Sequence, residues 1–314
     1  MHMLFYNAMG QDRSLSPEEL ASVRIDKDSL LWINSTPDDV QEANLPEQMR
    51  KAFTGAERGE FSVHVHEDYY CFAVPVPSDR NSARTQTLDL IVGADWLVSL
   101  GEADAIEFSD FLENDVGDTM KGKLSGSIFA AALLTQFFVR IHRNIGLIDR
   151  EVDRVEESVL VTREKGNTLQ VMAVLRRQAS RLREQVSAYR TVIHALTRPD
   201  ILPEMVEDDR KHFAHLRTTF ERVEDEVIRV RETVMNSFEL YSTRVAQDTN
   251  RLLRTLTFVT IGIGMIGALA GIFGMNFKAP ILDSGEHGFL TAIGAMAVAL
   301  VFTSAAAIYS YRRP

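Results

Sequence analysis

Cysteine is nearly absent from this chain: Cys71 is the only one in 314 residues. An internal disulfide is thereby excluded, and a reducing compartment fits. Basic charge is in deficit, 34 Lys and Arg against 44 Asp and Glu, for a net charge of −10. That balance argues against nucleic acid as a partner and is compatible with cations. The first hundred residues carry no GxGxxG fingerprint, P-loop or nucleophile elbow, and the soluble part holds no His/Cys/Asp set at catalytic spacing. Neither an enzyme nor a cofactor is therefore expected. Met1 to Ser14 has no basic stretch followed by an apolar one, so no signal peptide is expected. Helix breakers are missing too: after Pro203 no Gly or Pro occurs until Gly262.

Charge is missing from two long runs, Thr255 to Phe277 and Gly288 to Tyr311. Each is long enough to cross a hydrocarbon core of roughly 30 Å as a helix. Two such runs in succession predict a membrane protein with about four-fifths of its chain outside the bilayer. Arg244, Arg251 and Arg254 precede the first run, and Arg312 and Arg313 follow the second. The loop between them, Lys278 to His287, sets one Lys against Asp283 and Glu286. The positive-inside rule then puts both termini in the cytosol, the short loop outside, and the chain in the plasma (inner) membrane as a two-pass protein.

Upstream, the pattern is first α/β and then helical. β-rich stretches occur at Leu4–Asn7, Leu30–Asn34, Phe61–Val65, Tyr69–Val76 and Leu88–Leu100. The segment STPDDV begins a helix with Ser35 or Thr36 as N-cap and Pro37 in the first turn. Asp89, Asp95, Glu102 and Asp104 are expected as solvated turn acids. From Ser127 an apolar stripe of three- and four-residue steps runs from Leu134 to Val159, and a second runs from Leu175 to Leu196. KGN at 165–167 reads as the cap and turn between them, so the two helices should pair as an antiparallel hairpin. A third stripe, Phe213, Leu216, Phe220, Val223, Val227, Val230, Val234, Phe238, Tyr241, Val245, Leu252 and Leu256, predicts one continuous helix into the first apolar run. From Pro203 to Phe273 that helix would be about 105 Å long. Its seam must be buried against the hairpin, against copies of itself, or both, so self-association is expected.

The first apolar run ends on Gly274-Met275-Asn276, after a stalk that carries NRLLRTLTF at 250–258 and before a basic C-terminus at Arg312-Arg313. With these features, and with LLWINSTPDDV in the N-terminal domain, the chain resembles the CorA family of divalent-cation channels and transporters, which includes the zinc-handling ZntB branch. The resemblance implies a funnel-shaped homopentamer with an α+β cytosolic domain, a long helical stalk and two C-terminal transmembrane helices. The expected segments are 1–125 (α/β domain), 126–254 (hairpin and stalk), 255–277 (first span), 278–287 (external loop), 288–311 (second span) and 312–314 (basic terminus). It also implies that Gly274, Met275 and Asn276 form the selectivity entrance, Asn250 a polar ring at the cytosolic end, and Leu253 and Leu256 gate residues beside it. A ring of neutral amides suits a hydrated Mg²⁺ ion, which keeps its waters and prefers oxygen partners. Asn276 also has a plain reading as a polar helix cap.

Several features depart from the family pattern. Lys278 stands where many members place an acid, and the nearest acids are Asp283 and Glu286. Stepping back from Gly274 at helical spacing gives Gly271, Gly267, Gly264, Thr260, Thr257, Leu253 and Asn250 on one face. Two readings of this face stand: a pore lining of backbone and hydroxyl oxygens, or a small-residue seam for helix packing. Asp208, His212 and His215 share one stalk face at i, i+4 and i+7, a set suited to Zn²⁺, Co²⁺ or Ni²⁺, or simply solvated. His64 and His66 alternate with Val63 and Val65 on one strand face, a further metal position or plain surface. The acid-rich stretches 149–159 and 204–212 fit either cation loading or ordinary helix-face pairs such as Glu151 with Arg154.

The sequence thus predicts a passive, gated uptake system for divalent cations, with Mg²⁺ first, along with Co²⁺ or Ni²⁺. The ions are both substrate and gating ligands, and the partners are the bilayer and copies of the chain. A Zn²⁺ transporter of the ZntB type, with proton coupling, is the alternative. A non-conducting or selectivity-altered relative acting as a membrane-anchored sensor or scaffold is the second.

Overall fold

The structure is a computed structural model that describes residues 1–7, 13–20, 25, 29–42, 45–77, 86–101, 125–161, 168–198, 207–275 and 285–312. It divides into two compact units, Met1–Phe238 and Glu239–Pro314.

The first unit is built on a seven-stranded sheet of order β2-β1-β3-β7-β6-β5-β4. The strands are β1 (His2–Asn7), β2 (Arg13–Ser14), β3 (Ser29–Ser35), β4 (Val63–Val65), β5 (Tyr70–Pro75), β6 (Thr87–Val92) and β7 (Trp96–Leu100). β3 and β7 pair in parallel and the other neighbours are antiparallel. Both faces are covered, and side chains alternate between two cores. Leu30, Trp32, Phe72, Val74, Leu88 and Leu90 enter one; Leu31, Ile33, Cys71, Ile91 and Val98 enter the other. Where β3 and β7 meet, the Trp32 Nε1–H donates to Ser99 Oγ at 2.9 Å, and that hydroxyl donates to Asn34 Oδ1 at 2.9 Å. This buried chain of bonds satisfies the polar groups in an apolar layer.

The stretch 88–100, which reads as one strand, is a hairpin of β6 and β7. The Gly93 N–H donates to the Trp96 carbonyl at 2.9 Å, closing a tight turn through Ala94 and Asp95. Asp89 is also no turn acid. It lies half-buried on β6, its carboxylate accepts the Gly59 N–H at 2.7 Å, and burial raises its pKa. Glu102 and Asp104 fall outside the described residues, as do residues 165–167. Short helices α1 (Pro17–Leu20), α2 (Pro37–Glu42) and α3 (Glu47–Gly55) accompany the sheet. Thr36, not Ser35, caps α2: its Oγ1 accepts the Asp39 N–H at 3.3 Å.

The helices α4 (Gly126–Val161) and α5 (Thr168–Leu196) lie on the Trp32 face of the sheet. Ser125 caps α4 by accepting the Ile128 N–H at 3.0 Å. The Gly126 N–H donates to the Ala94 carbonyl at 2.8 Å, which ties the start of α4 to the β6–β7 turn. Phe138, early in α4, meets Tyr189, late in α5, with ring centroids 5.2 Å apart, so the pair is antiparallel as expected. The Tyr189 hydroxyl in turn donates to the Pro75 carbonyl of β5.

α6 then runs without a break from Glu207 to Phe273. Phe213, Leu216, Phe220, Val223, Val227, Val230 and Val234 join the core made by α4 and α5. At about 1.5–3 kcal/mol per buried side chain, these seven contribute on the order of 10 kcal/mol, which holds a helix that would be unstable alone. Polar contacts flank this seam. Arg190 Nε donates to Glu224 Oε1 at 2.8 Å, His142 Nδ1 meets Glu226 Oε2 at 2.5 Å, and Ser237 donates to Glu156.

In the second unit, the end of α6 accompanies α7 (Glu286–Arg312). Gly285, at φ +61°, precedes α7 in the left-handed region that favours glycine. Both helices are long and apolar enough to cross a membrane, with mean hydropathies of 2.1 and 2.0 over their spanning windows. Ile263, Val298, Val301 and Phe302 present large apolar surface outward, as lipid-facing or subunit-facing helices do and a soluble core does not.

Candidate functional site

The stripe on α6 changes character along its length. Down to Val234 it is buried within the chain, whereas Leu252, Leu253 and Leu256 are 69%, 54% and 61% exposed. In the first unit the seam is therefore buried against the hairpin, whereas in the second unit its leucines are exposed among the described residues.

The glycines of the first apolar run divide into two sets. A Cβ built on Gly262 would lie 3.5 Å from Thr303 Oγ1 of α7, an ordinary packing contact. Built on Gly264, Gly267 or Gly271, it would meet nothing within 4 Å. At about 100° per residue, Gly262 lies about opposite the face that joins Asn250, Leu253, Thr257, Thr260, Gly264, Gly267 and Gly271. The α6–α7 contact thus uses the glycine that sequence reasoning left out, and the small-residue face looks away from this chain's own second apolar helix. The spacing was legible; which of its glycines packs internally depends on the partner helix and was not.

The threonines on that face have their donors occupied. Thr257 Oγ1 donates to the Leu253 carbonyl at 2.9 Å, and Thr260 Oγ1 to the Leu256 carbonyl at 2.8 Å. Each hydroxyl oxygen then offers only acceptor lone pairs outward, the polarity a cation requires. Asn250 is exposed on the same helix. At the far end the Gly274 N–H bonds to the Ala270 carbonyl at 2.9 Å, and the Met275 N–H to the Ile272 carbonyl at 3.3 Å, closing the helix. Those carbonyls are capped by backbone groups. Asn276 and Lys278 lie outside the described residues.

On the stalk, His212 and His215 are both exposed on α6, while the Asp208 side chain lies outside those described. The neighbouring Asp209 is the carboxylate with a structural place: buried to 9% exposure, its Oδ1 accepts the Ser125 hydroxyl at 3.2 Å. Sequence spacing could not single it out from Asp208. In the acid-rich stretch of α4, Glu151 pairs with Arg154 at 2.8 Å and Glu156 receives Ser237. Burial raises the Asp149 pKa, Arg229 opposes that shift, and Asp153 and Glu226 reinforce it. His64 and His66 project from one side of β4 toward Glu57, their ring nitrogens 3.9 and 3.2 Å from its Oε2.

Comparison with known proteins agrees with this architecture. A cobalt/magnesium transport protein CorA of Methanocaldococcus jannaschii is 22% identical over 321 residues, 99% of each chain. One of Thermotoga maritima is 29% identical over 173 residues, 54% of this chain and 48% of its own length, so that alignment spans about half of that relative. Among solved structures, the complete CorA magnesium transporter from M. jannaschii superposes with a TM-score of 0.74 at 18% identity, covering 100% of this chain and 98% of that one. The full-length CmaX protein superposes at 0.73 with 19% identity, covering 100% and 97%. The shared fold is a mixed-sheet N-terminal domain, a long helix and two C-terminal apolar helices. The family described as CorA-like Mg²⁺ transporter protein matches residues 29–307. With that match spanning most of its length, the chain belongs to the CorA family, whose members are transporters and channels rather than enzymes.

Proposed function

We propose that the protein is a passive, gated uptake system for divalent cations, taking Mg²⁺ foremost and also Co²⁺ or Ni²⁺. It works as a homopentameric funnel in the plasma (inner) membrane with both termini in the cytosol. The observation that carries this reading is the open face of α6. Asn250, Leu253, Thr257, Thr260, Gly264, Gly267 and Gly271 form one continuous strip on a helix whose opposite side takes the α7 contact at Gly262. Around a symmetry axis, such strips line a path of hydroxyl and backbone oxygens, with leucines at the inner end as the gate. Gly274, Met275 and Asn276 make the outer entrance, where a ring of amides hydrogen-bonds the hydrated ion without trapping it.

The segments 1–125, 126–254, 255–277, 278–287, 288–311 and 312–314 take their roles from this reading: sheet domain, hairpin and stalk, first span, external loop, second span and basic terminus. The membrane potential drives the ion inward, at about 4.6 kcal/mol for a divalent charge per 100 mV. Divalent ions inside close the path, and Asp208, His212 and His215 are the stalk positions assigned to such regulation.

Protein reconstituted in liposomes with internal ion reporters tests this proposal against the zinc alternative. Under a negative-inside potential, entry of Mg²⁺ and Co²⁺ is expected and a proton gradient adds nothing. Entry of Zn²⁺ alone, accelerated by a proton gradient, would move the protein to the ZntB type. No flux of any of the four ions from a correctly assembled oligomer would leave a membrane-anchored sensor or scaffold.

A further inference from the structure

The edge of the N-terminal sheet carries a second set of metal-ligating groups, far in sequence from the ion path. β4 and β5 are antiparallel, and their register sets His64 directly across from Cys71. His66, two residues on, points to the same face. The segment that leaves α3 brings Glu57 over this face, and its Oε2 lies 3.2 Å from His66 Nε2, 3.8 Å from Cys71 Sγ and 3.9 Å from His64 Nδ1. The ligating atoms of Glu57, His66 and Cys71 all fall within 4.8 Å of one another.

The three distances from Glu57 Oε2 are close to those between neighbouring ligands of one ion, and small side-chain shifts would close the wider gaps. With bonds of about 2.0–2.3 Å, the ligands of a tetrahedral Zn²⁺ stand about 3.3–3.8 Å apart. The orientation is supported from behind as well. The His66 ring stacks on Tyr69, with centroids 4.3 Å apart. The far nitrogen of His64, Nε2, is held by Ser62 Oγ at 2.7 Å and Glu60 Oε2 at 3.3 Å, which leaves Nδ1 facing Glu57. A thiolate, two imidazoles and one carboxylate select borderline cations, whereas Mg²⁺ and Ca²⁺ require oxygen shells.

We propose that Glu57, His66 and Cys71, with His64 as fourth ligand, form a binding site for one Zn²⁺, Co²⁺ or Ni²⁺ ion on the N-terminal domain. On binding, the Cys71 S–H proton passes to solvent as the sulfur–metal bond forms. The site distinguishes these ions from Mg²⁺ whatever the transported ion is, and its test reads binding rather than flux.

Full-length, metal-free protein in detergent is titrated with Co²⁺ and followed by absorption. Because Cys71 is the only cysteine in the chain, a thiolate-to-cobalt charge-transfer band can arise only here. One equivalent per chain is expected to bring up that band together with the strong visible bands of tetrahedral cobalt. Zn²⁺ should discharge both, and excess Mg²⁺ should not. Cys71→Ser is expected to abolish the charge-transfer band. Glu57→Gln and His66→Ala, at partly exposed positions that folding tolerates, are expected to weaken Co²⁺ binding at least tenfold. Saturation with Co²⁺ without a charge-transfer band would overturn the proposal. So would a band whose affinity is unchanged in both Glu57→Gln and His66→Ala, since that would be a thiol binding cobalt without the site.

Discussion

At the scale of single residues, close approach and burial explain positions that composition does not. A Cβ on Gly126 would lie 2.3 Å from the Gly93 carbonyl oxygen and 2.6 Å from that of Trp96, both backbone atoms that cannot rotate away. Gly126→Ala should therefore destabilise the first unit by about 1–3 kcal/mol through overpacking, read as a lower apparent Tm in detergent with no loss of helical signal at low temperature. Asp149 gives a pH-dependent case. Burial raises its pKa, so the folded chain holds the proton more tightly than the unfolded chain does. The native state is then penalised as pH rises from the ordinary value of 3.8 through the higher folded value, and the penalty is absent below that window. Asp149→Asn should raise the apparent Tm at pH 7.5 and give no gain near pH 3.5. An equal gain at both pH values would mean that charge is not the cause.

At the scale of elements, the long periodic features were legible and the short local ones less so. The stripes from Leu134 to Val155, Leu175 to Leu196 and Phe213 to Val234 lie on the buried faces of α4, α5 and α6, because a three-and-four-residue period admits one buried side, while the later members Leu252 and Leu256 of the third are exposed. Leu88 to Leu100 reads as one strand because it is apolar almost throughout, and the β6–β7 turn closes on a single Gly93. Asp209 and Gly262 were not singled out because their roles come from Ser125 and Thr303, distant in sequence. The two glycine sets of α6 separate under one substitution. Gly262→Leu should disturb the α6–α7 contact and lower the yield of assembled protein. Gly267→Leu, on the open face, should leave folding and expression intact in detergent and block ion flux. If Gly262→Leu conducts normally while Gly267→Leu fails to fold, the assignment of the faces is reversed.

At the scale of the whole molecule, the part of the α6 seam that lies in the second unit is exposed among the described residues. Leu252, Leu253 and Leu256 are exposed together with the Thr257–Gly271 strip, and an apolar face of that length needs either lipid or copies of the chain to cover it. Under the proposed function, ring assembly around an axis would answer this need and set the polar strip inward, which would make conduction and oligomerisation two consequences of one helix. In the proposed function a lysine follows the Gly274-Met275-Asn276 entrance where an acid would attract cations, so recognition of the hydrated ion would fall to the amide of Asn276. The direct measurement is Mg²⁺ influx into liposomes under a negative-inside potential, native protein against Asn276→Ala, with the oligomer verified in both. The account predicts influx with native protein and a loss of at least tenfold with Asn276→Ala. Equal influx from the two proteins would contradict it.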